Sequence, residues 1–308
     1  MRQRRARAGP AGAAGLLALV VTGLLAGCAG STNALPQSGG SAAAAAPTTG
    51  SPRSARPTGL AGPAVQPAGT SQSPAASPAD TAATRPLAGK VIVLDPGHNG
   101  GNGSHPAIID RLVNVITEWK PCDTAGAETD AGYPEHAFNF NVAVRLARLL
   151  RADGAKVILT RHNDDGVGPC VTQRAEIGNR AHADAAVSIH ADGGPPTGRG
   201  FEVIAPGLVA GHNNAIIGPS HRLALDIRNA YHRITREPYS DYVGTQGLDV
   251  RTDLGGLNLS TVPKVFIECA NMRNAADAAR LTNPRFRQRV AVALAAGFLA
   301  FLAPNSHP

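Results

Sequence analysis

Residues 29–85 contain no aromatic side chain, and their only larger apolar ones are Leu35, Leu60 and Val65. Almost everything else there is Ala, Gly, Ser, Thr or Pro. Such a stretch cannot bury enough apolar surface to offset its ordering entropy, which excludes a packed domain and predicts a disordered tether. A coil of that length reaches ~40 Å root-mean-square, and its prolines extend it further. Acidic residues are scarce over the same region. Residues 1–85 hold seven of the 29 Lys+Arg but one of the 22 Asp+Glu, leaving 22 basic and 21 acidic residues in 86–308. The net charge of +7 therefore belongs to the amino-terminal part. The remainder is nearly neutral and has no basic stripe with interleaved aromatics, which argues against a nucleic-acid partner. A long apolar run is also missing. Residues 11–27 are short for a membrane span and include four glycines, so they fit the apolar part of an export signal preceded by Arg2, Arg4, Arg5 and Arg7.

That signal covers residues 1–28 and ends in Leu25-Ala26-Gly27-Cys28, which resembles the lipobox of bacterial lipoproteins. The resemblance implies a lipidated Cys28 and a protein held on the outer face of the cytoplasmic membrane, plain secretion being the alternative. A multi-chain lipid would anchor stably where a single acyl chain would not. The tether then leads to one folded domain over 86–303, with 304–308 as a tail. No internal repeat is visible.

Inside that domain, Lys-Val-Ile-Val-Leu-Asp-Pro-Gly-His (90–98) holds an unbroken apolar run at 91–94, the pattern of a strand covered on both faces. Asp95-Pro96-Gly97 is expected to stop it and to present His98 just beyond its carboxyl end. Two later runs finish in the same way. Residues 185–189 lead into His190, and 264–267 lead into Glu268. Between them, a long loop after His98 is expected to pack down or form a short helix over 107–119, and a connection this long is usually functional. A helix opens at Tyr133-Pro134-Glu135, with Pro134 at its first position, Glu135 in the opening turn and Gly154 as its stop. Further strands are expected at 155–160 and 200–204, and helices at 171–181, 220–236, from 275 and at 284–302. Residues 254–259 read as a turn. Helices alternating with apolar strands predict an α/β fold, a single domain with an open, mostly parallel central sheet flanked by helices. Ligands bind at the carboxyl edge of such sheets.

If the three strands are parallel neighbours, His98, His190 and a carboxylate converge on that edge. Two imidazoles and a carboxylate are the ligand chemistry of a catalytic zinc. Spacing alone leaves the set open. Glu135, Glu118 and Glu128 compete as the carboxylate and His136 competes as a nitrogen ligand, while a lone strand-end histidine is more often a hydrogen-bonded surface residue.

Val-Leu-Asp-Pro-Gly-His (93–98), a Glu opening a helix, Thr-Arg (160–161), Gln-Arg-Ala (173–175), Ser-Ile-His-Ala-Asp (188–192), Gly-Phe-Glu-Val (200–203) and Phe-Ile-Glu-Cys-Ala-Asn (266–271) follow in order. This set resembles the zinc-dependent N-acetylmuramoyl-L-alanine amidases of bacterial cell walls, of the type-three domain, over residues 88–303. The resemblance implies a sheet of about six strands, one Zn2+ held by His98, Glu135 and His190, and Glu268 as the catalytic carboxylate. It also implies peptidoglycan or its muropeptide fragments as substrate. Two positions depart from the family pattern, which more often has Asn at Asp192 and Gly-Phe at Cys269-Ala270.

An amide is a poor electrophile, so such a metal must polarise its carbonyl and acidify the attacking water. Glu268 would take the water's proton and pass it to the leaving L-alanine nitrogen. A structural reading of Glu268 is a strand-end residue paired with a nearby arginine. Cys122 and Cys170 fall in loops bordering the site of an exported protein, which predicts a disulfide between them. Cys269 is left as a buried, inert thiol. The rival functions are another zinc amidohydrolase on the same polymer, a peptidase or deacetylase, and a catalytically silent tethered wall-binding protein. No separate wall-binding module is visible, and the chain is expected to act as a monomer.

Overall fold

The computed structural model describes residues 85–303. The signal segment, Cys28, the tether as far as residue 84 and the tail at 304–308 lie outside the described residues. In chain order the elements are β1 (Val91–Pro96), α1 (Pro106–Ile109), β2 (Leu112–Asn114), β3 (Trp119–Pro121), α2 (Glu135–Ala152), β4 (Lys156–Leu159), α3 (Val171–Arg180) and β5 (Ala185–Asp192). There follow β6 (Glu202–Pro206), α4 (Ile217–Thr235), β7 (Leu248–Arg251), α5 (Gly255–Asn258), β8 (Lys264–Asn271), α6 (Ala275–Leu281) and α7 (Pro284–Leu302). No helix among the described residues is long and apolar enough to cross a membrane.

Six strands form one sheet in the order β4-β1-β5-β8-β6-β7. Pairings from β4 through β8 are parallel, β6 runs antiparallel to β8, and β7 is parallel to β6. The expected mostly parallel α/β sheet is therefore present, and β1, β5 and β8 are adjacent. Side chains alternate across a strand, and here the two faces differ. Ile92, Leu94, Val187, Ile189, Val265 and Ile267 enter the main core. There they meet Phe138, Val142 and Leu146 of α2, Leu223, Ile227 and Tyr231 of α4, and Val290, Leu294 and Phe298 of α7. The opposite face has a small cluster, Val93, Ala186 and Val262 with Ile177 of α3 packed against it. Asp95, Ser188, His190, Lys264, Phe266 and Glu268 share the alternation of Val93 and Ala186, so they lie on the thinly covered face.

The helices form where the apolar spacing places them, and polar caps set their starts. Asn274 accepts from Ala276 N and Asp277 N to open α6, and Asn283 accepts from Arg285 N to open α7 just before Pro284. These satisfy amides that have no partner within the helix.

Four local expectations need correction. First, β1 does not stop at Leu94 but continues through Asp95 and Pro96, whose register partner is Ile189. Proline is tolerated as the last paired residue, and the ladder resumes with Gly97 N donating to Ile189 O at 3.0 Å. Secondly, β5 and β8 run past His190 and Glu268, so both residues sit within strands, in register with each other. Thirdly, the loop after His98 forms the expected short helix at Pro106–Ile109 but continues as an antiparallel hairpin over residues 112–121, and residues 255–258 form a short helix rather than a turn. Fourthly, Pro134 caps α2 in an extended conformation, one residue before the first helical position.

Candidate active site

The site grows from the end of β1. His98 adopts a left-handed backbone, φ +57°, uncommon for a residue with a side chain, and this turns its ring back over the sheet. Its Nε2 lies 3.2 Å from Glu135 Oε2, and its Nδ1 faces Asp123 Oδ1 at 3.2 Å and Thr124 O at 3.0 Å. From β5, His190 places Nδ1 2.8 Å from Glu135 Oε1. The two imidazoles meet edge-on at 4.8 Å, and His190 stacks on Phe266 at 4.0 Å. His190 also packs against Gly97, where a Cβ would overlap the ring.

Glu135, in the first turn of α2, is the hub. Beyond the two histidines, Ala127 N donates to its Oε2 at 2.8 Å, and Ala191 N donates to its Oε1 at 3.2 Å. One donor atom from each of His98, Glu135 and His190 lies within 4.8 Å of the others. Among the described residues this is the one such group of three. The rival ligands fall elsewhere. Glu118 sits 3.8 Å from Lys120 on the hairpin, and His136 is held by Asp164 at 2.9 Å. Glu128 is engaged through its backbone in a bridge with Pro134.

Glu268 stands beside His190 on the same face, and Glu202 is its register partner on β6. The Oε2 of Glu268 is shut off from solvent and has no hydrogen-bond partner. Burial raises its pKa well above the usual carboxylate range, and repulsion from Glu135, Glu202 and Asp192 adds to this. Burial with Asp192 and Asp249 nearby pushes Glu202 up to about 8. The reading of Glu268 as an arginine-paired structural residue finds no close partner here.

Electrostatics at the donor cluster favour positive charge. Burial opposes protonation of His98, but Glu135 and Asp123 outweigh it and raise the pKa to about 10. Burial also opposes ionisation of Glu135, and the two histidines overcome it to hold the carboxyl well below its usual value. For His190, burial dominates and lowers the pKa. Two imidazoles and a carboxylate whose donor atoms face one another fit a single metal ion of the borderline-soft kind. All three residues and Glu268 line one cleft of about 390 Å³, together with Lys120 and Asp253.

Cys122 and Cys170 form the expected disulfide. Cys269 is buried, and its place in the alternation of Val265 and Ile267 puts it on the main-core side, so it takes no part in the cleft. Sequence reasoning missed a charged lock beneath the site. Asp95 accepts from Thr160, Arg174, Ser188 and Lys264, and Arg174 also binds Asp123 at 2.9 Å. Asp95 and Arg174 lie inside motifs singled out above, and an acid and a base within otherwise apolar or small-residue motifs was the available signal.

Comparison with known proteins gives a consistent picture. Residues 92–300 match the family model described as N-acetylmuramoyl-L-alanine amidase. The chain is 42% identical over 221 residues to N-acetylmuramoyl-L-alanine amidase Rv3717 of Mycobacterium tuberculosis, covering 70% of this chain and 88% of that one. The crystal structure of the amidase Ami1 from Mycobacterium smegmatis superposes with a TM-score of 0.66 at 42% identity, covering 70% of this chain and 98% of that one. AmiC2 of Nostoc punctiforme aligns at 25% identity and a TM-score of 0.51, covering 69% of this chain and 97% of that one.

Proposed function

The chain belongs to the N-acetylmuramoyl-L-alanine amidase family, and from that premise we propose a zinc hydrolase in which His98, Glu135 and His190 hold the metal and Glu268 moves the proton. Its reaction is hydrolysis of the amide between N-acetylmuramic acid and L-alanine in peptidoglycan. The observation that carries the metal assignment is the convergence of the three donor atoms within 4.8 Å. A zinc ion bound there would polarise the scissile carbonyl and acidify the attacking water.

The chain's own groups handle the rest. Glu268 projects from β8 next to His190, with an oxygen that no hydrogen-bonding group among the described residues engages. A carboxylate so placed accepts the proton of the incoming water as the new C–O bond forms. Its raised pKa makes it a willing acid afterwards, so it donates that proton to the L-alanine nitrogen as the C–N bond breaks. Glu202 and Asp192 keep that affinity for protons high through repulsion. The hydrogen bonds from Ala127 and Ala191 to Glu135 fix that carboxylate where both histidines reach it.

The test is direct. The purified protein should carry one zinc per chain and release free amino-terminal L-alanine from wall fragments. His190→Ala should lose both metal and activity. Stoichiometric zinc in that variant removes His190 from the ligand set. Release of other amino termini, or of acetate, identifies a peptidase or a deacetylase instead. For the amino-terminal part, Leu25-Ala26-Gly27-Cys28 supports export with lipid anchoring through Cys28. Cys28→Ala should shift the protein from the membrane fraction to the soluble exported fraction, and unchanged fractionation refutes the anchor.

A further inference from the structure

We propose that Asp123 is a positioning residue for the metal site, one that fixes His98 with Nε2 turned toward Glu135 and His190, and that the Cys122–Cys170 disulfide holds Asp123 in place for this task. The proposal rests on the zinc reading above.

A metal-binding imidazole must have both its orientation and its tautomer set by what its other nitrogen meets. At His98 Nδ1 the neighbours are Thr124 O at 3.0 Å, Asp123 Oδ1 at 3.2 Å and the Thr124 hydroxyl at 3.3 Å. The two nearer oxygens, a carbonyl and a carboxylate, can only accept, so Nδ1 keeps its proton and Nε2 is the nitrogen left to offer a lone pair to a metal. Asp123 serves both contacts. Its Oδ1 also accepts from Thr124 N at 2.8 Å, so the same carboxylate orders the peptide that supplies the second acceptor.

Arg174 closes the arrangement. Its Nη2 donates to Asp123 Oδ2 at 2.9 Å and to the backbone oxygen of His98 at 3.0 Å. One guanidinium nitrogen therefore binds the main chain of the ligand residue and the carboxylate that holds its ring. Its Nη1 donates to Asp95 Oδ1 and to Pro96 O, which ties the assembly to β1. Such a clamp is what a left-handed His98 requires, because a non-glycine residue keeps that conformation only where its surroundings over-determine it.

The disulfide enters at both ends of the clamp. Cys122 directly precedes Asp123, and Cys170 caps α3 one turn before Arg174. Val171 N donates to Cys122 O at 2.8 Å beside the bridge. The loop bearing the carboxylate and the helix bearing the guanidinium are thus joined at the point where they meet His98. Neither Asp123 nor the bridge supplies a metal ligand, so their effect must pass through the histidine.

The experiment measures zinc affinity by competition with a fluorescent chelator, on the wild type, Asp123→Ala, Asp123→Asn and the double variant Cys122→Ser/Cys170→Ser. Asp123→Ala should weaken zinc binding about 10–100-fold, the usual effect of removing an outer partner of a ligand histidine. Asp123→Asn keeps an acceptor for the Nδ1 proton and should fall between it and the wild type. The double variant should shift in the same direction as Asp123→Ala, by less. A second readout reports the ring itself. In zinc-loaded wild type, long-range 1H–15N spectra should show His98 protonated at Nδ1 and metal-bound at Nε2. Unchanged affinity in Asp123→Ala overturns the proposal, even if the metal-free variant melts lower. Ligation of His98 through Nδ1 overturns it without any variant needing to fold. A wild type that binds no zinc overturns the zinc reading itself, which is a distinguishable result.

Discussion

Asp95 and Glu268 lie on the same face of the sheet, on strands separated by β5 alone, and burial by itself opposes ionisation of both. Their partners send them in opposite directions. Asp95 accepts from Ser188 at 2.7 Å, Thr160 at 2.7 Å, Arg174 at 3.0 Å and Lys264 at 3.1 Å. The two cations outweigh burial and hold its carboxyl far below the usual range. Glu268 has an oxygen with no partner and three acidic neighbours, which hold its pKa well above that range. A carboxylate whose every lone pair is engaged has no chemistry left to perform. One left without partners is costly to the fold, and its readiness to exchange a proton is what the costs sustain.

The largest expected effect comes from removing the poised group. Glu268→Gln should slow hydrolysis by about 10²–10⁴-fold while zinc stays stoichiometric. The metal-free variant should also melt above the wild type at neutral pH, because an ionisable group buried among three acids has gone. Loss of zinc would make Glu268 a ligand and break the comparison at once.

The converse change is Asp95→Asn, which leaves Lys264 and Arg174 buried with an uncompensated charge. It should lower stability by about 3–5 kcal/mol in denaturant titrations. The sign with pH follows from the depressed pKa. Wild-type Asp95 stabilises the fold above its unfolded pKa of about 3.9, and that contribution fades as pH falls below it. The gap between the two proteins should therefore narrow in acid. A gap constant from pH 7 to pH 3 would mean the charge on Asp95 is not what matters.

The smallest effect should come from Glu202→Gln. The folded pKa of Glu202, about 8, lies above its ordinary value of 4.5, so the wild type loses stability as pH rises between those values. The variant has no such titration, so its melting temperature should gain on the wild type from pH 5 to pH 8 and then hold level. No gain would show that burial beside Asp192 and Asp249 does not raise the pKa of Glu202.

His98, His190 and Glu268 were legible because unbroken apolar runs ending in His or Glu announce what meets at one edge of a parallel sheet, whereas Glu135, on a helix, was singled out among its rivals only by the family resemblance. What could not be read was how far the strands continue. Hydrogen bonding in register, not hydrophobicity, carries β5 and β8 beyond His190 and Glu268, which moves both residues from the rim onto the face. The hairpin at 112–121 escaped because its turn places Ile116 at φ +78°, where glycine or asparagine is the usual sign. Asn114 Oδ1 accepting from Ile116 N at 2.7 Å stabilises that turn, and nothing in the composition points to it. Asp123 and Lys264 were missed for a related reason. Their partners lie 25 and 169 residues away, and periodicity reports only near neighbours along the chain.

Gly97 contributes no side chain and no charge, yet any β-carbon there would sit inside the van der Waals envelope of the His190 ring. The proposed metal site is therefore specified in part by an atom the sequence leaves out. A random mutational scan scored only for activity would rank Gly97 with the proposed ligands, although no chemistry passes through it. The smallest possible change, one methyl group, should displace a ligand while the full ligand set stays encoded. Anyone transplanting His98, Glu135 and His190 onto another scaffold would have to transplant that missing atom as well.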